Sequence, residues 1–293
     1  MPYSSKDYVF LFDQQAQGTA IEALHHKDVY RYRVKTIKSG DQLECEIYPI
    51  WATRNEVRQA KKKTTREAQK NLNERNAKKE FVRKVNENFT QQDLELTFTY
   101  DDETPLPNES EARRDVRNYL RRIRDYRKKN GMSELKYVYV IEFTGDGGRE
   151  KKRIHHHVFM SGMDRDEAEK IWGKGWANSR RLQPDEYGLE AIARYIVKEP
   201  HNGKRWCCSK NLKPPRESTA DTKLSKKQAE RLAKDVAAAG PEIFRKLYPG
   251  YEYLDCEVKR SDFVAGAYIY TRMHKIPASP SKKKQRAVLE KTG

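Results

Sequence analysis

Three consecutive histidines, His155, His156 and His157, lie inside the apolar run Arg153-Ile154-His155-His156-His157-Val158-Phe159-Met160. Such a run favours a β-strand, and in a strand successive side chains point to opposite faces. His155 and His157 therefore share one face, and His156 takes the other. Two imidazoles placed in this way can chelate a divalent cation. The preceding segment, Lys136 to Thr144, is rich in β-branched and aromatic residues and also reads as a strand. Gly145-Asp146-Gly147-Gly148 connects the two. The resulting hairpin places Glu142, on the face of Val138 and Val140, beside His155 and His157. Two histidines and one carboxylate suit Mg²⁺ or Mn²⁺ with positions left open for a reactant.

A second group lies downstream. Leu189, Ile192, Ala193 and Ile196 recur at helical spacing and form one apolar stripe. Pro200 disfavours helix at the residue before it, so this helix is expected to end at Glu199. Tyr195 lies off the centre of the stripe, and Lys198 follows three residues later on the same flank. A phenol so carried can attack a phosphodiester, while the lysine holds the phosphate or stabilises charge on the nucleophile. No second tyrosine lies four residues to either side, where Ala191 and Glu199 stand. A second copy of the protein, or a water activated by Glu199 or Glu190, would then have to complete a reaction cycle.

The elements that must position these groups can be read along the chain. Leu94 to Tyr100 forms a strand. A helix starts at Asn108, with Glu111 as its capping-box partner, and stops at Asn130-Gly131. Its arginines, Arg113, Arg114, Arg117, Arg121, Arg122 and Arg124, surround an apolar stripe. Asp164 and Glu167 cap a further helix that ends at Trp172-Gly173, and Trp176 to Leu182 reads as a strand. The order is β-α-β-β-α-β-α-β. Helices interspersed in a mainly antiparallel sheet give an α+β, ferredoxin- or RRM-like palm.

The set resembles the HUH endonuclease superfamily, specifically the single-tyrosine rolling-circle replication initiators of phages and plasmids. Leu94 to Tyr100 is similar to motif I. Ile154 to Met160 is similar to the His-hydrophobic-His strand of motif II, with His156 where the middle residue is usually hydrophobic. Tyr195 and Lys198 match the Tyr-x-x-Lys of motif III. Glu142 resembles the acidic third ligand of phage-type members, and Arg205 to Pro214 is similar to the strand after motif III. The resemblance spans about residues 90–215. It implies a metal site on His155, His157 and Glu142, and nicking of single-stranded DNA at a replication origin by Tyr195. It further implies a 5′-phosphotyrosine link, a free 3′-OH for a host polymerase, and rejoining of strands at termination. The chain has no G-x-x-x-x-G-K-[ST] loop, so a host helicase would be a separate partner.

Composition agrees with such a partner. The chain has 293 residues and a formal net charge of +17, which favours nucleic acid or another polyanion. It contains no apolar stretch of 18 residues and no signal-peptide pattern at its start, so no membrane span is expected and a cytoplasmic location in a bacterial host is. The four cysteines, Cys45, Cys207, Cys208 and Cys256, form no C-x-x-C pair and are expected to be reduced.

Expected domains are 1–90, with an N-terminal hairpin around Ser39-Gly40-Asp41 and a basic helix within Thr53 to Asn88; 91–215, the catalytic palm; 216–276, a helix-and-strand extension; and 277–293, a disordered basic tail. The C-terminal helix, from Leu224, is expected to stop at Gly240-Pro241. Oligomeric state is not readable from these patterns. Two other readings compete. A relaxase or transposase of the same superfamily would share the chemistry. A non-catalytic RRM-like binding protein would stack bases on Tyr137, Tyr139 and Phe143 and bind without metal.

Overall fold

The computed structural model describes residues 29–51, 66–101, 106–144, 153–197, 206–260 and 265–277. The loop 145–152, Lys198 and Glu199, and the tail from residue 278 lie outside the described residues. The chain divides into two compact units. One comprises 38–41 and 65–217, and the other comprises the remaining segments.

The first unit holds a five-stranded antiparallel sheet and four helices. The strands are β3 (Leu94–Phe98), β4 (Tyr137–Thr144), β5 (Arg153–Met160), β6 (Ala177–Arg181) and the two-residue β7 (Cys207–Cys208). Their spatial order is β6-β3-β5-β4-β7. The helices are α1 (Arg66–Asn88), α2 (Glu109–Lys129), α3 (Arg165–Lys170) and α4 (Glu190–Ile196). The succession β3-α2-β4-β5-α3-β6-α4-β7 is the order expected from the sequence, and it is compatible with a ferredoxin/RRM-like palm.

Each face of this sheet has its own core. On one face Leu94, Leu96 and Phe98 of β3 meet Val158 and Met160 of β5 beneath Val116, Tyr119, Leu120 and Ile123 of α2. Trp172 completes this core, stacked on Phe98 at 4.7 Å, with its indole N–H donating to the Thr99 carbonyl at 3.0 Å. On the other face Val138, Val140 and Phe159 meet Phe81, Val82 and Val85 of α1 and Ala193 and Ile196 of α4. Alternate residues of β4 and β5 thus feed opposite cores, which is why a one-residue slip of their register would expose both.

Local signals set the ends of α2. Asn108 and Glu111 form the reciprocal capping box, and Gly131 takes φ 64° just past the helix. Another glycine matters for the approach to β6. Gly175 has φ +133°, and a Cβ there would lie 2.4 Å from the Asp101 amide nitrogen. Only glycine lets the turn before Trp176 dock against the end of β3.

The second unit brings the segment 29–51 together with the segments 216–260 and 265–277. Its sheet has the order β8-β1-β2-β10-β9, from β1 (Val29–Ser39), β2 (Gln42–Trp51), β8 (Arg216–Ala220), β9 (Tyr251–Arg260) and β10 (Ala267–Lys275). The hairpin around Gly40 forms as expected, but its partner is β10, antiparallel with Ile269 opposite Ile47. Sequence proximity had grouped β1 and β2 with the basic helix in 1–90 and had set 216–276 apart. Instead α1 packs into the palm through Phe81, Val82 and Val85, and the two terminal segments share one sheet.

The C-terminal helix also differs from expectation. It is two helices, α5 (Lys226–Lys234) and α6 (Val236–Leu247), and α6 runs through Gly240-Pro241. Asp235 breaks the first with φ −141° and caps the second by accepting from the Ala238 amide at 3.1 Å. Gly240 is not a stop but a contact: a Cβ there would sit 2.8 Å from the Tyr253 hydroxyl.

Candidate active site

The hairpin β4–β5 sets the donors by register alone. Glu142 pairs with His155, and Val140 pairs with His157. On the other side of β5, Thr97 of β3 pairs with His157. Glu142, His155, His157 and Thr97 consequently rise from one face of the sheet. The rings of His155 and His157 lie 6.4 Å apart and 21° from parallel. His157 Nε2 is 3.1 Å from Glu142 Oε2, and His157 Nδ1 is 3.3 Å from the Thr97 hydroxyl.

Thr97 orients His157 in either tautomer, because a hydroxyl can accept from Nδ1–H or donate to a bare Nδ1. As the structure stands, Nε2–H donates to the Glu142 carboxylate and the Thr97 hydroxyl can donate to a bare Nδ1. A cation bound between Nε2 and Glu142 would require the other tautomer, with Nδ1–H given to Thr97, the arrangement by which an outer hydrogen bond prepares an imidazole to ligate. Two imidazoles and a carboxylate on adjacent strands therefore fit a divalent cation in their donor chemistry. The arrangement is open. Among the described residues, no three His, Cys, Asp or Glu side chains are gathered tightly enough to enclose an ion as they stand.

His156 belongs to the opposite core, as its parity demands. It is fully buried, its ring lies 5.2 Å from Trp172, and its Nε2 is 3.1 Å from the Tyr100 hydroxyl. Tyr100 donates onward to Asp115 at 3.3 Å, and Lys174 pairs with the same carboxylate. With Nε2–H donating to Tyr100, Nδ1 is left without a partner. Burial, reinforced by His157 and His155, pushes the pKa of His156 down to about 3, so it is a neutral packing residue.

Tyr195 comes to the donors from α4. Its ring stands edge-on to His157 at 6.4 Å and 81°, and it is 56 % exposed. Helix α4 is shorter than its apolar stripe suggested, because Val197 leaves helical geometry at φ −90°, ψ 66°. Glu190 is engaged by Arg194 Nε at 2.5 Å. Lys198 and Glu199 lie outside the described residues.

One cleft of about 490 Å³ gathers Glu142, His155, His157 and Tyr195 with Glu95 and Thr97 of the motif I strand and with Asn178 and Arg180, which no motif covered. Arg180 of β6 pairs across the ladder with Glu95 of β3, and its Nε donates to the Glu95 carboxylate. That bond holds the guanidinium pKa above its ordinary value, and Tyr195 adds to it from within electrostatic reach. The Glu95 side chain is only 6 % exposed and that of Arg180 is 62 % exposed, so the pair presents a cation to the cleft from a buried anchor. Period-two alternation in Ala177–Arg181 put Asn178 and Arg180 on a common face. What the sequence lacked was the register of β6 on β3, which brings that face to Tyr195.

No curated protein and no solved structure matches the chain. Residues 93–202 match the family described as replication-associated protein ORF2/G2P. That span runs from the residue before β3 to just beyond the helix of Tyr195, and so contains every described member of the cleft. Over it, the chain is similar to this replication-associated family, of the rolling-circle Rep type.

Proposed function

We propose that this replication-associated protein initiates rolling-circle replication by nicking single-stranded origin DNA with Tyr195. The observation that carries the reading is the edge-on approach of Tyr195 to His157, within the cleft that also holds His155 and Glu142. A nucleophile, a cation-binding donor set and an exposed arginine are what phosphodiester transfer asks of a protein.

His155, His157 and Glu142 would hold Mg²⁺ or Mn²⁺, which supplies Lewis-acid polarisation of the scissile phosphate when bound. Tyr195 Oη attacks the phosphorus in line. The bond to the 3′-oxygen breaks, and the phenol's proton is in balance transferred to that oxygen, leaving a free 3′-OH and a 5′-phosphotyrosine. The exchange replaces one phosphodiester by another, so strand rejoining by the reverse step needs no ATP. Arg180 faces the phosphate from β6. Lys198 is proposed to assist near the phosphate or the phenolate. Extension of the 3′-OH and unwinding fall to a host polymerase and a separate helicase.

The test is incubation of the full chain with a single-stranded oligonucleotide pool and Mn²⁺, then denaturing SDS electrophoresis. A covalent protein–DNA adduct is expected from wild type and from neither Tyr195→Phe nor His157→Ala. Sequencing the adduct would give the origin site. Equal, chelator-insensitive binding by all three proteins without any adduct would replace this reading by a non-catalytic binding module.

A further inference from the structure

We propose that Trp176 is a stacking platform for a base of the single strand that occupies the cleft. The inference rests on the nuclease reading for its ligand, and on three observations of its own. Trp176 is 80 % exposed, although an indole normally finds burial or a partner. Its carbonyl accepts from the Thr99 amide at 2.9 Å, one pair beyond Phe98 and Ala177 in the β3–β6 ladder. The ladder thus continues to Trp176 and fixes which way it points. By alternation Trp176 shares its face with Asn178 and Arg180, the two residues of β6 that line the cleft.

The three residues form a row at i, i+2 and i+4 along the sheet's edge strand. About 13 Å of strand separates Trp176 from Arg180. That is a span of about two to four nucleotides at 3.4 Å or more each. Each position matches a different part of a single strand: Arg180 the phosphate, Asn178 a base edge, Trp176 a base face. Bases of a single strand are unpaired, and every base has a π-face, so an exposed indole beside a phosphate-binding cation holds DNA without demanding a sequence. Duplex DNA offers no free base face to it. The close approach of the Gly175 turn to Thr99 and Asp101, which only glycine allows, fixes the backbone that carries the platform.

The test uses the full chain carrying Tyr195→Phe, with Mn²⁺ present, so that binding is read without covalent capture. Fluorescein-labelled (dT)20 and the same oligomer with abasic sites are the probes, followed by anisotropy at several salt concentrations. Adding Trp176→Ala is expected to weaken (dT)20 binding by about 5- to 150-fold. The slope of log affinity against log salt should stay unchanged, because no cation is removed. Trp176→Phe should recover most of the loss, and abasic DNA should bind Trp176→Ala and its parent equally. Affinities within twofold for Trp176→Ala and its parent on (dT)20 would overturn the platform. So would a loss that Trp176→Phe does not repair or that abasic DNA shows equally. If the parent binds no single-stranded DNA at all, the nuclease reading falls first and takes the platform with it.

Discussion

The Glu95–Arg180 pair makes an asymmetric prediction that its geometry fixes in advance. Glu95 is buried and Arg180 is mostly exposed. Replacing Arg180 by glutamine leaves a desolvated carboxylate without its cation, at a cost of about 2 kcal/mol. Replacing Glu95 by glutamine leaves an arginine that water can solvate, at about 0.5 kcal/mol or less. The double substitution removes both charges and should cost little more than Glu95→Gln alone. A coupling of about 2 kcal/mol follows from the cycle. Because the chain has two units, a single denaturation midpoint mixes their stabilities. Native-state hydrogen exchange at amides of β3 and β5 reads this unit alone. Equal costs for the two single substitutions, or additivity to within about 0.3 kcal/mol, would refute the buried-anchor account. In the adduct assay, Glu95→Gln should retain activity because Arg180 remains. Arg180→Gln should slow adduct formation.

Two further predictions concern charge. In α2, Arg117 lies at i+4 from Arg113, i+3 from Arg114 and i−4 from Arg121. Arg117→Glu turns three like-charge neighbours into opposite ones and should stabilise its unit by about 1 kcal/mol at low salt, an effect that 1 M salt removes; native-state hydrogen exchange at β3 and β5 amides at the two salt concentrations checks it. In the second unit, Arg33 Nε and Nη2 hold both Asp221 oxygens at 2.5 and 2.7 Å, and this bond keeps the Asp221 carboxyl below its ordinary range. A carboxyl depressed in the folded state contributes stability that is present above its unfolded value near 4 and is lost as pH falls through the folded one. Asp221→Asn should therefore cost about 1 kcal/mol at pH 7, and its stability should converge with wild type as pH falls below 4, as urea titrations followed by hydrogen exchange at amides of β2 and β10 at the two pH values would measure.

How far the site could be read in advance depended on how local its causes are. His155, His157 and Glu142 share a face because two strands joined by a short loop can pair in few ways, and alternation does the rest. The ends of α2 were equally legible, since Asn108, Glu111 and Gly131 act within one turn. Arg180 and Trp176 were not, because their place depends on β6 pairing with a strand some eighty residues earlier. The shared sheet of the two terminal segments depends on a still longer closure, Ile47 against Ile269. Gly240 shows a different limit. Its residue type signals a helix end, but the Tyr253 ring beside it demands a glycine for reasons that appear only in three dimensions.

The brevity of α4 has a consequence for what Tyr195 is attached to. Seven residues make too short a helix to persist in water unaided, and no side chain of its own caps it. Its start is held by Asn86 of α1, whose Oδ1 accepts from the Leu189 amide at 2.8 Å, and its inner face by Ala193 and Ile196 against α1's apolar side. The donor hairpin is instead braced by ladder bonds on both flanks. Tyr195 and the residues proposed as cation donors thus sit on pieces held in different ways, and the proposed mechanism would allow α4 to loosen while the sheet stays closed. A DNA end linked to Tyr195 would hang from a retractable arm, free to move off the donors and return to them without unfolding the palm.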